Sequence, residues 1–71
     1  MMTLAKYRKA HSLSLKAFGA MIGKSKGHVY AIEQANQCTA KVALAIEKVT
    51  DGAVNAATLN NEIAEARRIA A

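Results

Sequence analysis

Proline and tryptophan are absent from the 71 residues, and aromatic side chains are limited to one phenylalanine and two tyrosines. Yet 52% of the chain is hydrophobic, much of it alanine. That mixture disfavours a sheet, because strands draw on β-branched and aromatic residues, whereas alanine is the best helix former. The single cysteine, Cys38, excludes an internal disulfide, so stability must come from a packed core. No run of about 18 apolar residues is present to span a bilayer, and the first residues lack the apolar stretch of a signal peptide. The expectation is a cytoplasmic protein with no membrane partner. A chain this short makes one domain, residues 1–71, burying roughly 60% of its unfolded surface, which leaves little room for a large enzyme pocket.

Acidic residues are also scarce, five against ten basic ones, and their placement is uneven. Up to Gln34, Lys6, Arg8, Lys9, Lys16, Lys24 and Lys26 face Glu33 alone, an excess of five positive charges. Beyond it, Lys41, Lys48, Arg67 and Arg68 are matched by Glu47, Asp51, Glu62 and Glu65. A basic first half attracts polyanions, of which nucleic acid is the commonest; on charge alone, a merely solvated surface explains it equally well.

Serine, threonine, asparagine, aspartate and glycine punctuate the chain. Thr3 caps a first helix to about Ala10, with Met2 and Tyr7 at the spacing of a hydrophobic staple. Leu13, Ser14 and Phe18 repeat the device, and so do Val54, Asn55 and Leu59. The second helix runs Leu15 to Ile22 and stops at Gly23. Ser25 caps the third, which runs to about Gln34 with Val29 and Ile32 inward. Thr39 opens a fourth with Val42, Ala43, Ile46 and Val49 inside, closed by Asp51 and Gly52. From Asn55 a fifth segment, residues 55–71, carries the stripe Leu59, Ile63, Ala66 and Ala70, for core completion or dimerisation. The fold class is therefore all-α, a compact bundle of about five short helices.

Between Leu13 and Gln34 the spacings specify a helix-turn-helix. Counting from Leu15, a small residue stands fifth (Gly19) and glycine ninth (Gly23). Apolar residues stand fourth, eighth, fifteenth and eighteenth: Phe18, Ile22, Val29 and Ile32. The fifth position lets two helices cross closely, the ninth makes the turn, and the apolar set fills the wedge between them. The stretch Leu13 to Ile32 resembles the core motif of the Cro-like and lambda-repressor-like helix-turn-helix family. Thr39 to Val54, with Ala43-Leu44, Ile46-Glu47 and Gly52-Ala53-Val54, is similar to the following helix of short phage Cro-type regulators. Leu15 stands where many members carry glutamine, Gly19 where alanine is common, and Lys24 where an apolar residue is usual. The resemblance covers Thr3 to about Leu59 and implies a sequence-specific regulator of transcription, a repressor that occupies a palindromic operator as a dimer.

The outward face of the third helix reads the same way from its own chemistry. Lys26, Tyr30 and Gln34 form one row beside Gly27 and Ala31, with His28 on the groove side, and these six are the candidate base contacts. Lysine reaches guanine acceptors, and Ala31 suits a thymine methyl. Candidate phosphate contacts are Ser14 and Lys16 at the start of the second helix, and Lys24 and Ser25 at the start of the third. Asn36, Gln37 and Thr39 beyond the third complete the set. An ordinary amphipathic surface with capping hydroxyls is the plainer account of the same residues. His11, His28 and Cys38 lack the paired spacing of a zinc site, and no nucleophile, base and orienter can be assembled from them. Neither metal, cofactor, small-molecule ligand nor catalysis is expected. The expected partners are double-stranded DNA and a second copy of the chain. A protein-interaction module on the same helices, such as an antitoxin or phage adaptor meeting an acidic partner, is the reading from another class.

Overall fold

The four leading helices each begin on a hydroxyl one residue ahead. In the computed structural model, which describes residues 2–70, α1 spans Leu4–Ala10, α2 Leu15–Ile22, α3 Lys26–Ala35 and α4 Ala40–Val49. Thr3 Oγ1 accepts from the Lys6 amide at 3.1 Å and Ser14 Oγ from Ala17 at 2.9 Å. Ser25 Oγ accepts from His28 at 3.2 Å, and Thr39 Oγ1 from Val42 at 3.4 Å. Each satisfies a donor that the helix start leaves open, a contribution of about 1 kcal/mol apiece. At the C-termini, Gly23 (φ 70°) and Asn36 (φ 52°) turn left-handed, and Asn36 returns its amide to the Ile32 carbonyl at 2.7 Å. Among the described residues there is no strand.

The amphipathic faces close on one core of Leu4, Phe18, Val29, Ile32, Ile46, Val54 and Leu59. Phe18 is wholly buried, with Tyr7 of α1 set edge-on at 6.4 Å between ring centroids. Leu13 packs on this core half-buried, whereas Met2 stays exposed. Gly19 is needed for space rather than for its backbone freedom. A β-carbon built there would drive into the Lys24 carbonyl oxygen and crowd Ser25. The same residue's own carbonyl accepts the amide of Lys24 at 2.8 Å, so the connection from α2 to α3 is folded directly onto α2.

The C-terminal part differs from the expectation of one helix from Asn55. Asn55 caps only a short 3₁₀ turn, Ala56–Thr58, and α5 begins at Asn61, spanning Asn61–Ala70. Asn60 starts that helix, since its Oδ1 accepts from the Ile63 amide at 3.1 Å while its Nδ2 donates to the Cys38 carbonyl at 2.9 Å. The expected stripe is correspondingly shorter: Leu59 and Ile63 are buried, but Ala66 is exposed. The side chain of Ala70 and the whole of Met1 lie outside the described residues.

Polar groups hold the C-terminal part to α4. The buried Thr50 hydroxyl donates to the Ile46 carbonyl at 2.8 Å and accepts from the Val54 amide at 3.2 Å, bridging α4 to the segment that leaves it. Glu47 binds Arg67 through both oxygens, at 2.8 and 2.9 Å, and accepts the Ala56 amide at 2.9 Å. The Arg67 guanidinium, then the Ala56 amide, hold its carboxyl down to about 2.

Two outcomes follow from this packing. Gly19→Ala should lower the thermal midpoint although alanine is the better helix former, costing roughly 1–3 kcal/mol by overpacking against a carbonyl that cannot withdraw. A midpoint raised by the substitution would contradict the close approach. A carboxyl whose value is depressed on folding stabilises the fold at pH above its ordinary range near 4.5, and that contribution is lost as pH falls towards about 2. Acid titration followed by circular dichroism should therefore show stability declining across that window, with a shallower decline in Arg67→Ala.

Candidate nucleic-acid interface

Helix α3 turns Val29 and Ile32 to the core, encloses Glu33 beside them, and leaves the remaining arc open. All six candidate base-reading residues, Lys26, Gly27, His28, Tyr30, Ala31 and Gln34, are exposed, Tyr30 to 54%. At 3.6 residues per turn they form an arc rather than a single row. Lys26 and Tyr30 stand on one flank, Gln34, Gly27 and Ala31 occupy the middle, and His28 lies on the opposite flank. Gly27 is not required by packing, since a β-carbon there would meet only the Ser25 hydroxyl at 4.0 Å.

The seven candidate phosphate contacts are exposed as well, and they fall in separate places. Lys16, Lys24 and Ser25 gather with Ala20 and Lys26 around one concavity between α2 and the N-terminus of α3. Lys26 thus sits among the phosphate candidates as well as at the edge of the candidate base-contact arc. Asn36, Gln37 and Thr39 lie beyond the other end of α3, which at 1.5 Å per residue is about 15 Å away along the helix. Ser14, Ser25 and Thr39 use their oxygens as caps, which leaves each hydroxyl proton free to be donated outward.

What fixes the aim of α3 includes a contact that periodicity alone does not show. Arg8 of α1 grips Glu33 through Nε at 2.6 Å and Nη2 at 3.1 Å, and its Nη1 donates to the Leu13 carbonyl at 3.1 Å. The pair is largely enclosed, with 15% and 7% of the side chains exposed. Glu33 lies on the inward side of α3 beside Val29 and Ile32, and a carboxylate in that position is the sequence signal for a cation opposite it. Asn60 is the other unexpected contributor. Together with the bond from the Cys38 amide to the Leu59 carbonyl at 2.9 Å, it anchors the Asn36 to Thr39 loop to the C-terminal segment.

With Arg8 and Glu33 cancelling, the positive excess of the first half resides on Lys6, Lys9, Lys16, Lys24 and Lys26, all exposed. Among the described residues no lysine is joined to a carboxylate. Cys38 and the two histidines lie in separate surroundings. Burial pushes the Cys38 thiol up, His11 stacks on Tyr7 at 4.1 Å between centroids, and His28 stands on α3. No group of three histidine, cysteine or acidic side chains able to hold a metal is present among the described residues, and none of their helices is long and apolar enough to cross a membrane.

The chain matches no family model, and no curated protein or solved structure is significantly similar to it.

Removing Glu33 should strand the Arg8 guanidinium in a largely enclosed site. Glu33→Ala is expected to cost roughly 2–3 kcal/mol in denaturant unfolding, and Arg8→Met combined with Glu33→Leu should recover most of that loss. A single variant as stable as the parent would mean that the pair does not anchor α3.

Proposed function

We propose that the chain is a sequence-specific DNA-binding regulator of transcription, a Cro-type repressor working in the cytoplasm, whose α2, turn and α3 act as a helix-turn-helix. The observation that carries this reading is the open arc of α3 with a lysine-lined concavity at one end and a polar loop at the other. The separation of those ends, about 15 Å, is comparable to a major groove about 12 Å wide, so α3 can lie between two phosphate strands while its arc meets base edges. Tyr30, Gln34, Gly27 and Ala31 read the bases in this arrangement. Lys16, Lys24 and Ser25 hold one strand, and the Asn36 to Thr39 loop holds the other. Repression requires no catalysis: occupancy of the operator blocks polymerase. Two copies reading a palindrome would place their α3 helices about 34 Å apart, one turn of the duplex.

Selection of bound duplexes from a random pool should return such a palindrome. On the selected site and its single-base variants, Tyr30→Ala should relax discrimination at defined positions by about 1–3 kcal/mol. Lys16→Ala should weaken all duplexes alike and lower the salt slope by about one unit per contacted site. Equal, poor binding of selected and random duplexes at low salt would overturn the proposal. A preference altered by Lys16→Ala and left intact by Tyr30→Ala would overturn the assignment of the reading face.

A further inference from the structure

Between the α2–α3 turn and the first turns of α4 lies a hollow that no side chain fills. Its floor is the half-buried Ile22 and Ala45 with the buried Val42, and its rim is Gly23, Lys24 and Lys41, all exposed. Two small residues leave it open: Ala45 contributes a single methyl, and a β-carbon built on Gly23 would meet nothing within 4 Å. The floor is apolar surface left uncovered. The two ammonium groups beside it have no carboxylate of their own, since among the described residues no lysine is joined to one.

Size and chemistry select the occupant. At about 260 Å³ and only partly enclosed, the hollow falls below the roughly 300–1,000 Å³ of pockets that enclose a small molecule, but it has room for one aliphatic or aromatic side chain. A duplex makes poor use of it, because a phosphate gains from the lysines and nothing from the apolar floor. A segment that presents an apolar anchor between carboxylates satisfies both parts: the anchor covers Ile22, Val42 and Ala45, and the carboxylates meet Lys24 and Lys41. We infer that this hollow is a docking site for a short acidic segment of another protein, seated by one apolar anchor. The site shares only Lys24 with the concavity assigned to phosphate, and the inference does not rest on the DNA reading.

Selection from a displayed library of random short peptides against the folded full chain should enrich sequences with one aliphatic or aromatic residue flanked by aspartate or glutamate. A synthetic peptide of the enriched sequence should shift the amide signals of Gly23, Lys24, Lys41, Val42 and Ala45 in proton–nitrogen correlation spectra, more weakly as salt rises. Ala45→Leu fills the floor without altering charge, and Lys41→Glu reverses one side of the rim; each should weaken the peptide roughly tenfold. Lys6→Glu makes the same charge change on α1, outside the hollow, and should leave the affinity within about twofold of the parent. Circular dichroism verifies that the variants fold. If Ala45→Leu does not, replacing the peptide's own anchor by alanine takes its place, with the same loss expected. No enrichment, or signals that move elsewhere, would overturn the inference. So would equal losses in Lys6→Glu and Lys41→Glu with none from Ala45→Leu, which would show plain attraction to a basic surface. The same movement of the Lys41, Val42 and Ala45 signals on adding duplex DNA, or on concentrating the chain alone, would give the site to nucleic acid or to a second copy and overturn it equally.

Discussion

A single close approach governs the geometry of the N-terminal half: the backbone of Lys24 lies against Gly19, where no β-carbon fits. A three-residue connection that doubles back onto α2 leaves α3 only a narrow choice of direction. It brings Lys24, Ser25 and Lys26 beside Lys16 and Ala20 of the preceding helix, which is how one lysine-lined concavity arises from residues spread over eleven positions. It also turns Val29 and Ile32 to Phe18, so that the opposite arc of α3 is left to solvent. The apolar wedge and the charged concavity are two results of one steric constraint.

Arg8 and Glu33 act on the same inward side of α3, beside Val29 and Ile32. Dispersion contacts from Val29 and Ile32 are non-directional and tolerate rotation of α3 about its axis, whereas a guanidinium fork on a carboxylate does not. Packing sets the depth of α3, and the ion pair sets its angle. At the C-terminal end, Thr50 ties α4 to Val54 in the segment that follows it, and Glu47 performs a similar office for α5 through Arg67, adding to the hydrophobic contact that its short apolar stripe supplies.

The sequence was most legible where one residue type has one cheap conformation. Ser14, Ser25 and Thr39 precede helices because their oxygens satisfy amides three positions on, and Gly23 ends a helix because its φ is positive. The helix positions, the burial of Phe18 and the exposure of all thirteen candidate contact residues follow from such local rules and from helical period. What escaped was decided by partners distant in the chain. Asn55 carries the usual cap signal, but Asn60 has a second partner in the Cys38 carbonyl, and that long-range bond places the start of α5 five residues later. Ala66 fits the apolar period and is exposed because the clamp of Arg67 on Glu47 determines which side of α5 faces inward.

Cationic groups are divided by chemical type. The three arginines are held by carboxylates, while all seven lysines are exposed. Guanidinium suits planar, two-pronged anchoring, and ammonium is a hydrated point charge on a flexible stem. Scaffold and electrostatic field therefore answer to different reagents. Acylation acts on amines and leaves guanidinium groups untouched, so it would erase the field while the pairs that orient the helices persist. The positive field is in this sense removable without unfolding the molecule.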